Sequence, residues 1–378
     1  MAKKQCVIVD IGSASIVTLI GERGVNNSFK LLGKGEVSYD GFANGKFFDP
    51  QNVKNVIAMS ISQAEMSSGI KVDEVYVGVP AEFCNIRCEE CELQFGRSKK
   101  IRYQDFYALM ELGAKKHPTY SVINNCVIYF TTDKGKRLIN PLGVHTSSLA
   151  AKTCYVYAEN NFLDFIGGIF NDIGISNVHY ISSTLAEMLY LMSPSMRDKY
   201  AILVDIGYIT TSVAVGQGDG LLFLNSFSLG GGHITGDLAQ ILKMPFTQAE
   251  SLKRKVVLNW QASESDTYEV MGKDFITTYS AKAANEIVEA RLEIIAKYIN
   301  KCLERCKYEL PEYLPVLLTG GGINYIKGAR DFMSRKLGRK VQLVSPPVGE
   351  GNKPDFSAEI AMLDVAIRHA EDGLNILY

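Results

Sequence analysis

One stretch of this chain occurs twice. Cys6-Val7-Ile8-Val9-Asp10-Ile11-Gly12-Ser13 leads into the apolar run Ile16 to Ile20, and Ala201-Ile202-Leu203-Val204-Asp205-Ile206-Gly207 leads through Thr210 and Thr211 into Val213 to Val215. Each copy reads as a buried strand ending in Asp, a glycine turn carrying hydroxyls, and a second strand. A third apolar segment follows in both, Phe29 to Leu32 and Leu221 to Phe227. Two halves built alike predict a duplicated α/β fold with the two turns facing each other across a cleft.

The chemistry of such a turn favours phosphate. Glycine lets backbone approach a ligand closely, and turn N–H groups with Ser or Thr hydroxyls cradle an anion. An Asp at the strand end tolerates a phosphate when a divalent cation lies between them, held through water. A capping Asp in a plain hairpin is the alternative, and the duplication argues against it. Neither a Walker A loop nor a Gly-x-Gly-x-x-Gly fingerprint is present, so P-loop and Rossmann binding are not expected.

Two three-glycine turns stand in their place. Gly230-Gly231-Gly232 precedes a helix expected to begin near Thr235. Leu318-Thr319-Gly320-Gly321-Gly322 ends a strand before a helical segment expected from about Tyr325. Strand–glycine–helix turns offer N–H groups and room for a base or sugar. Glu250 and Lys253 share one face of a helix. They suit either a ribose and purine or a solvated ion pair.

Composition removes other classes. The 378 residues include 40 basic and 41 acidic ones, a net charge of -1, without the basic excess that nucleic-acid binding requires. No run is long and apolar enough for a spanning helix, and no leader is expected after Met1. Eight cysteines are expected as reduced thiols. Cys84, Cys88 and Cys91 lie close together, with Cys84 and Cys88 expected on one face of a strand and Cys91 on the other. No second pair completes a zinc set, so no transition-metal site is expected. The segment Ala281 to Cys306 repeats apolar residues at helical spacing (Ala284, Val288, Leu292, Ile295, Ile299, Cys302, Cys306) and predicts a packed helix.

Taken in order, these motifs resemble the actin, sugar-kinase and heat-shock-chaperone ATPase superfamily, and within it the bacterial cell-division family FtsA. Gly230 to Ala239, Ala249 to Lys253, Asn140-Pro141-Leu142-Gly143 and Glu289 to Glu293 are the FtsA-like stretches. The resemblance implies an actin-like, ribonuclease-H-like duplicated fold. Its first lobe would take residues 1–82, 158–198 and 355–378, with a closing helix from Ser357 to Ala370. An inserted SHS2 or 1C-type subdomain would take 83–157, with a helix near Tyr103 to Lys116. The second lobe would take 199–237 and 316–354, and a helical outer subdomain 238–315.

The resemblance further implies ATP and Mg²⁺ as cofactors. Asp10 and Asp205 would hold Mg²⁺ through water. Gly12, Ser13, Ala14, Ser15, Gly207, Thr210 and Thr211 would hold phosphates. Gly230, Gly231, Gly232, Glu250, Lys253, Gly320, Gly321 and Gly322 would surround the adenosine. It implies head-to-tail filaments, an FtsZ-like partner reached through Arg291, other division proteins reached through the insert, and a peripheral place at the inner face of the cell membrane at the division site. A PilM-like pilus-assembly scaffold and a small-molecule kinase of the same superfamily are the alternatives. The kinase would need a catalytic base beyond the two motif aspartates, and the sequence offers none.

Three departures shape these expectations. Ser15 stands where such motifs carry a Lys, and Tyr208-Ile209 stand where the second turn is usually glycine-rich, so any ATP turnover is expected to be slow. The stretch Asp372 to Tyr378 is short for the interfacial helix with which FtsA proteins end. Either that tether is missing or this relative does without one.

Overall fold

A computed structural model of the chain describes residues 5–24, 28–272, 275–347 and 353–372. The expectation drawn from Asp372 to Tyr378 falls almost wholly outside these residues.

The repeat is present as two five-stranded sheets with matching topology. In the first, β1 (Gln5–Ile11), β2 (Ser15–Arg23) and β3 (Phe29–Ser38) form an antiparallel meander. Helix α1 (Pro50–Ser68) then crosses to β6 (Glu74–Val79), which runs parallel to β1, and β11 (Asn177–Ser182) runs parallel to β6. The order is β11-β6-β1-β2-β3. In the second sheet, β12 (Ala201–Ile206), β13 (Thr211–Gln217) and β14 (Gly220–Phe227) repeat the meander, and β17 (Val316–Thr319) and β18 (Val341–Leu343) repeat the parallel additions. The order β14-β13-β12-β17-β18 mirrors the first. The central strands are buried along nearly their whole length, as strands covered on both faces must be.

The halves differ in what interrupts them. After a two-residue hairpin, β4 (Phe42–Ala43) and β5 (Lys46–Phe47), and after β6, the first half carries a separate sheet of order β7-β10-β8-β9. Its strands are β7 (Cys84–Lys100), β8 (Tyr120–Thr132), β9 (Arg137–Leu138) and β10 (His145–Glu159), with α2 (Tyr103–Gly113) on one face. Helix α2 is shorter than the sequence suggests. The chain rejoins the first half through α3 (Asn160–Asp172), and α4 (Ser183–Leu191) follows β11.

The second half carries α5 (Gly231–Ile241), α6 (Phe246–Lys253), the hairpin β15 (Thr267–Met271) and β16 (Ile276–Ser280), and α7 (Ala281–Glu304). Helix α7 buries Ala284, Val288, Leu292, Ile295, Ile299 and Cys302, the stripe read from its spacing, while Cys306 lies just past its end and is half-buried. Helix α5 starts at Gly231, four residues before the expected position. Helix α8 (Ala329–Leu337) starts four residues after Tyr325. Glycine turns blur helix boundaries in sequence because propensity there is overridden by backbone packing.

The final helix, α9 (Ser357–Asp372), returns to the first half. Ile360, Met362, Leu363 and Ile367 pack with Ile8, Val17, Leu19 and Tyr76, and α9 lies beside α4. The closing helix is therefore part of the first sheet's core, as expected for Ser357 to Ala370.

Candidate functional site between two strand-ending turns

The two turns meet. The β1–β2 turn and the β12–β13 turn line one cleft of about 250 Å³, together with Gly320 and Gly321 after β17 and Asp355, Ala358 and Glu359 at the start of α9. Asp10, Gly12, Ser13, Ala14, Ser15, Asp205, Gly207, Thr210 and Thr211 all face it.

The first turn is small-residued and braced from behind. The Tyr39 hydroxyl donates to the Gly12 carbonyl at 2.8 Å, and the Tyr39 N–H donates to the Ala14 carbonyl. The second turn is spent on its own surroundings. Its Gly207 and Tyr208 carbonyls accept from the Gly231 and Gly232 N–H groups at 2.9 and 2.7 Å, satisfying donors that open the α5 helix. The Ile206 carbonyl accepts from Gly322 N–H at 2.7 Å. A Cβ on Gly231 would lie 2.4 Å from the Gly322 carbonyl oxygen, so the two three-glycine turns are glycine because their backbones touch. Gly320 has φ +90, and a Cβ there would meet Asp205 Oδ1 at 2.0 Å.

Six residues read as nucleotide contacts therefore do not line the cleft: Gly230, Gly231, Gly232, Gly322, Glu250 and Lys253. Lys253 is buried behind it, with Nζ 2.7 Å from Glu250 Oε2 and 3.2 Å from the Gly231 carbonyl oxygen. Glu250 also accepts from the Thr235 hydroxyl at 2.6 Å. The pair is an ion pair, but a buried one that ties α6 to the first turn of α5. Thr211 reaches the cleft, yet its hydroxyl donates to the Leu229 carbonyl at 2.6 Å.

Other residues, not evident from motif spacing, complete the cleft. Arg254 and Tyr325 stack at its edge, the guanidinium 4.9 Å from the ring centroid. Two buried glutamates, Glu187 on α4 and Glu359 on α9, join Asp10 and Asp205. Burial pushes Asp10 up to about 6, against a hydrogen bond from Ser183, and pushes Asp205 up to about 7, helped by the charge of Asp10. Burial also holds Glu187 and Glu359 well above the usual carboxylate range, with the neighbouring acids adding to it.

This donor set fits a hydrated divalent cation. Four carboxyl groups share the cleft, and Glu359 Oε2 is buried without a hydrogen-bond partner. No cluster of three or more acidic, His or Cys side chains converges to direct metal-ligand geometry among the described residues. Ser13 Oγ accepts from Ile209 N–H at 3.1 Å, joining the turns directly. The cleft volume also lies below the roughly 300–1,000 Å³ of small-molecule sites. A wider cavity of about 570 Å³ lies elsewhere, between the start of α7, α8 and residues 258–262, open and lined by mixed charges.

The comparisons agree with this architecture. The family model for cell division protein FtsA matches residues 202–361. FtsA of Staphylococcus epidermidis is 24% identical over 387 residues, covering 100% of this chain and 82% of that protein. FtsA of Bacillus subtilis is 24% identical over 372 residues, covering 96% and 84%. The chain is a relative of the FtsA family.

Solved structures place this FtsA relative in the actin-like ATPase fold. A chain of the PilM–PilN type IV pilus biogenesis complex matches with TM-score 0.64 and 13% identity, covering 97% of this chain and 99% of that one. MreB5 of Spiroplasma citri bound to AMPPNP matches with TM-score 0.56 and 11% identity, covering 98% and 99%. No described helix of the FtsA relative is long and apolar enough to cross a membrane. Arg291 is engaged within the chain. Its guanidinium makes two hydrogen bonds to Asp237, at 2.6 and 2.8 Å, and so ties α7 to α5.

Proposed function

We propose that this FtsA relative is an actin-like adaptor that binds ATP with Mg²⁺, assembles head to tail, and links a tubulin-like FtsZ ring to the membrane. The observation that carries the reading is the convergence of Asp10 to Ser15 and Asp205 to Thr211 on one cleft, in a chain similar to FtsA along its full length. In this reading residues 1–82, 158–198 and 355–378 form the first lobe and 199–237 with 316–354 the second. Residues 83–157 form the SHS2-type insert that contacts other division proteins, and 238–315 the helical outer part.

When bound, Mg–ATP supplies a charged bridge between the two sheets. Asp10 and Asp205 would orient the waters around the cation, with the buried carboxyl groups of Glu187 and Glu359 behind them. Gly12 to Ser15, Gly207 and Thr210 orient the phosphates by backbone N–H and hydroxyl. Gly320 and Gly321 would leave room for the nucleoside, and Arg254 and Tyr325 at the cleft edge would be placed to cover it. Glu250, Lys253 and the Gly230 to Gly232 turn act from behind by fixing the position of the second turn. The site lacks a lysine point charge at Ser15 and carries bulk at Tyr208-Ile209, so turnover is expected well below the ~1–100 s⁻¹ of phosphotransferases. Nucleotide then serves to hold the closed form.

An FtsZ-like acidic tail reaching Arg291 would have to displace Asp237. The protein sits peripherally at the inner face of the membrane, by a tether outside the described residues or through partners. The PilM-like reading draws on fold similarity alone. Phosphate release and pelleting, each with and without Mg–ATP, test the proposal, alongside binding of an FtsZ C-terminal peptide and a PilN peptide. Slow release with nucleotide-dependent pelleting and FtsZ-peptide binding is expected. PilN-peptide binding alone favours the pilus scaffold, and fast metabolite-stimulated turnover without filaments favours the kinase.

A further inference from the structure

Three cysteines from three different strands stand in one row across the inserted sheet. Cys88 on β7 lies directly opposite Cys154 on β10, and Cys154 lies directly opposite Cys126 on β8. Directly opposed residues of antiparallel strands have Cα atoms about 4.5–5.5 Å apart. That lies within the roughly 4.4–6.8 Å that a disulfide requires. The thiols of Cys88 and Cys154 already share a hydrogen bond.

The row is asymmetric. Cys154 and Cys126 are buried, whereas Cys88 is half-buried beside Tyr308, whose ring carries Lys152 and Lys307 at 4.8 and 5.5 Å. The hydrogen bond from Cys154, with these two cations, draws the Cys88 thiol down against the upward push of burial, while that same hydrogen bond and then burial hold Cys154 up, and burial holds Cys126 up. Thiolate character and access decide which sulfur reacts.

The row also lies under the second half of the molecule. In its protonated form Cys88 donates from Sγ to the Leu221 carbonyl of β14 at 3.3 Å, a contact the thiolate gives up. A Cβ on Gly220 would lie 2.8 Å from Cys154 Cβ, so the β13–β14 hairpin rests on these thiols.

We propose that Cys88 and Cys154 form a reversible, peroxide-sensitive dithiol that controls how the inserted sheet seats on β14. The Cys88 thiolate attacks a peroxide oxygen, the O–O bond breaks, and hydroxide leaves. The Cys154 sulfur then attacks the Cys88 sulfenic sulfur. The S–S bond forms, the S–O bond breaks, and the second oxygen leaves as water with the Cys154 proton. Two thiols lose two electrons, and one peroxide becomes two waters. The Cys88 sulfur is thereby drawn from Leu221, and the contact that holds β14 weakens. Disulfides of this kind in reducing compartments are transient and serve sensing.

The test uses the full reduced chain treated with hydrogen peroxide, alkylated and mapped by non-reducing peptide mass spectrometry. Expected are a linked Cys88–Cys154 peptide, reaction at Cys88 at least about tenfold faster than at Cys126, and faster amide exchange at Gly220 to Leu222 that dithiothreitol reverses. Cys154→Ser should leave Cys88 as a sulfenic acid trapped by dimedone, and Cys126→Ser should change nothing. A Cys154–Cys126 link, or a Cys88 that remains fully alkylatable after peroxide, overturns the proposal. The wild-type map decides the case even where a serine variant folds poorly.

Discussion

The two strand-ending turns share a sequence pattern and a position in matching sheets, yet they are built for different work. The β1–β2 turn, Gly12-Ser13-Ala14-Ser15, carries only small side chains and is braced from behind by Tyr39. The β12–β13 turn carries Tyr208 and Ile209, and its carbonyls are committed to the starts of α5 and the Gly320 turn. A duplicated motif thus keeps its backbone path while one copy stays small-residued and open to the cleft and the other serves as a hub. Motif spacing alone does not separate the two roles, because both need glycine, one for ligand approach and one for backbone against backbone.

Substitutions at the hub should sharpen that contrast most. Gly231→Val drives a side chain into the Gly322 carbonyl. It should cost about 3 kcal/mol or more in a urea denaturation series. Gly236→Ala, on the same helix with open space around its Cα, serves as the control. It should stabilise by about 0.5–1 kcal/mol. Equal losses at the two positions would mean that α5 is sensitive everywhere and the hub is not special.

A smaller effect is expected behind the hub. Glu250→Ala leaves the Lys253 ammonium buried with one carbonyl partner. Lys253→Met leaves Glu250 with Arg254 and Thr235. Removing one partner of a fully buried pair costs about 3–5 kcal/mol. Glu250 is partly exposed, so about 2 kcal/mol is expected for Glu250→Ala and less for Lys253→Met. The reverse order, measured by chemical denaturation, would break the description of Lys253 as a structural cation.

The carboxylate cluster joins both turns, and its pH response tests whether they share one charged site. Folded Asp10 and Asp205 keep their protons to about pH 6 and 7, whereas unfolded aspartates lose theirs near 3.8. The folded state binds more protons in between, so stability without divalent cation should fall as pH rises from about 4 through 7, and Glu187 and Glu359, also held up by burial, add to the fall. Asp205→Asn should flatten the slope, and Mg²⁺ should restore stability at high pH. Thermal melts across that range give the answer, and a stability that rises over the same window contradicts the shared site.

Much of this was legible in the sequence. The repeat announced the two meanders, because strands covered on both faces read as short apolar runs, and the α7 stripe follows helical periodicity. The cleft faces of Asp10 to Ser15 and Asp205 to Thr211 were legible for the same reason. Glu187 and Glu359 were not, since the burial of each depends on α4 meeting α9, which no local pattern shows. The spending of the Gly231 and Gly232 amides was hidden too, as it depends on carbonyls more than twenty residues away.

The central claim is that the two unequal turns bind one Mg–nucleotide between them. Thermal stabilisation of the purified chain by ATP, with and without Mg²⁺, in the wild type and in Gly12→Val tests it directly. At a ligand concentration about 100 times Kd, wild type should gain about 2.7 kcal/mol, only with Mg²⁺. Gly12→Val, folded by circular dichroism, should gain nothing, because its side chain blocks the close approach of phosphate to the first turn. A wild-type chain indifferent to every adenine nucleotide with Mg²⁺ would contradict the account, and would mean that the Ser13–Ile209 contact keeps the cleft shut.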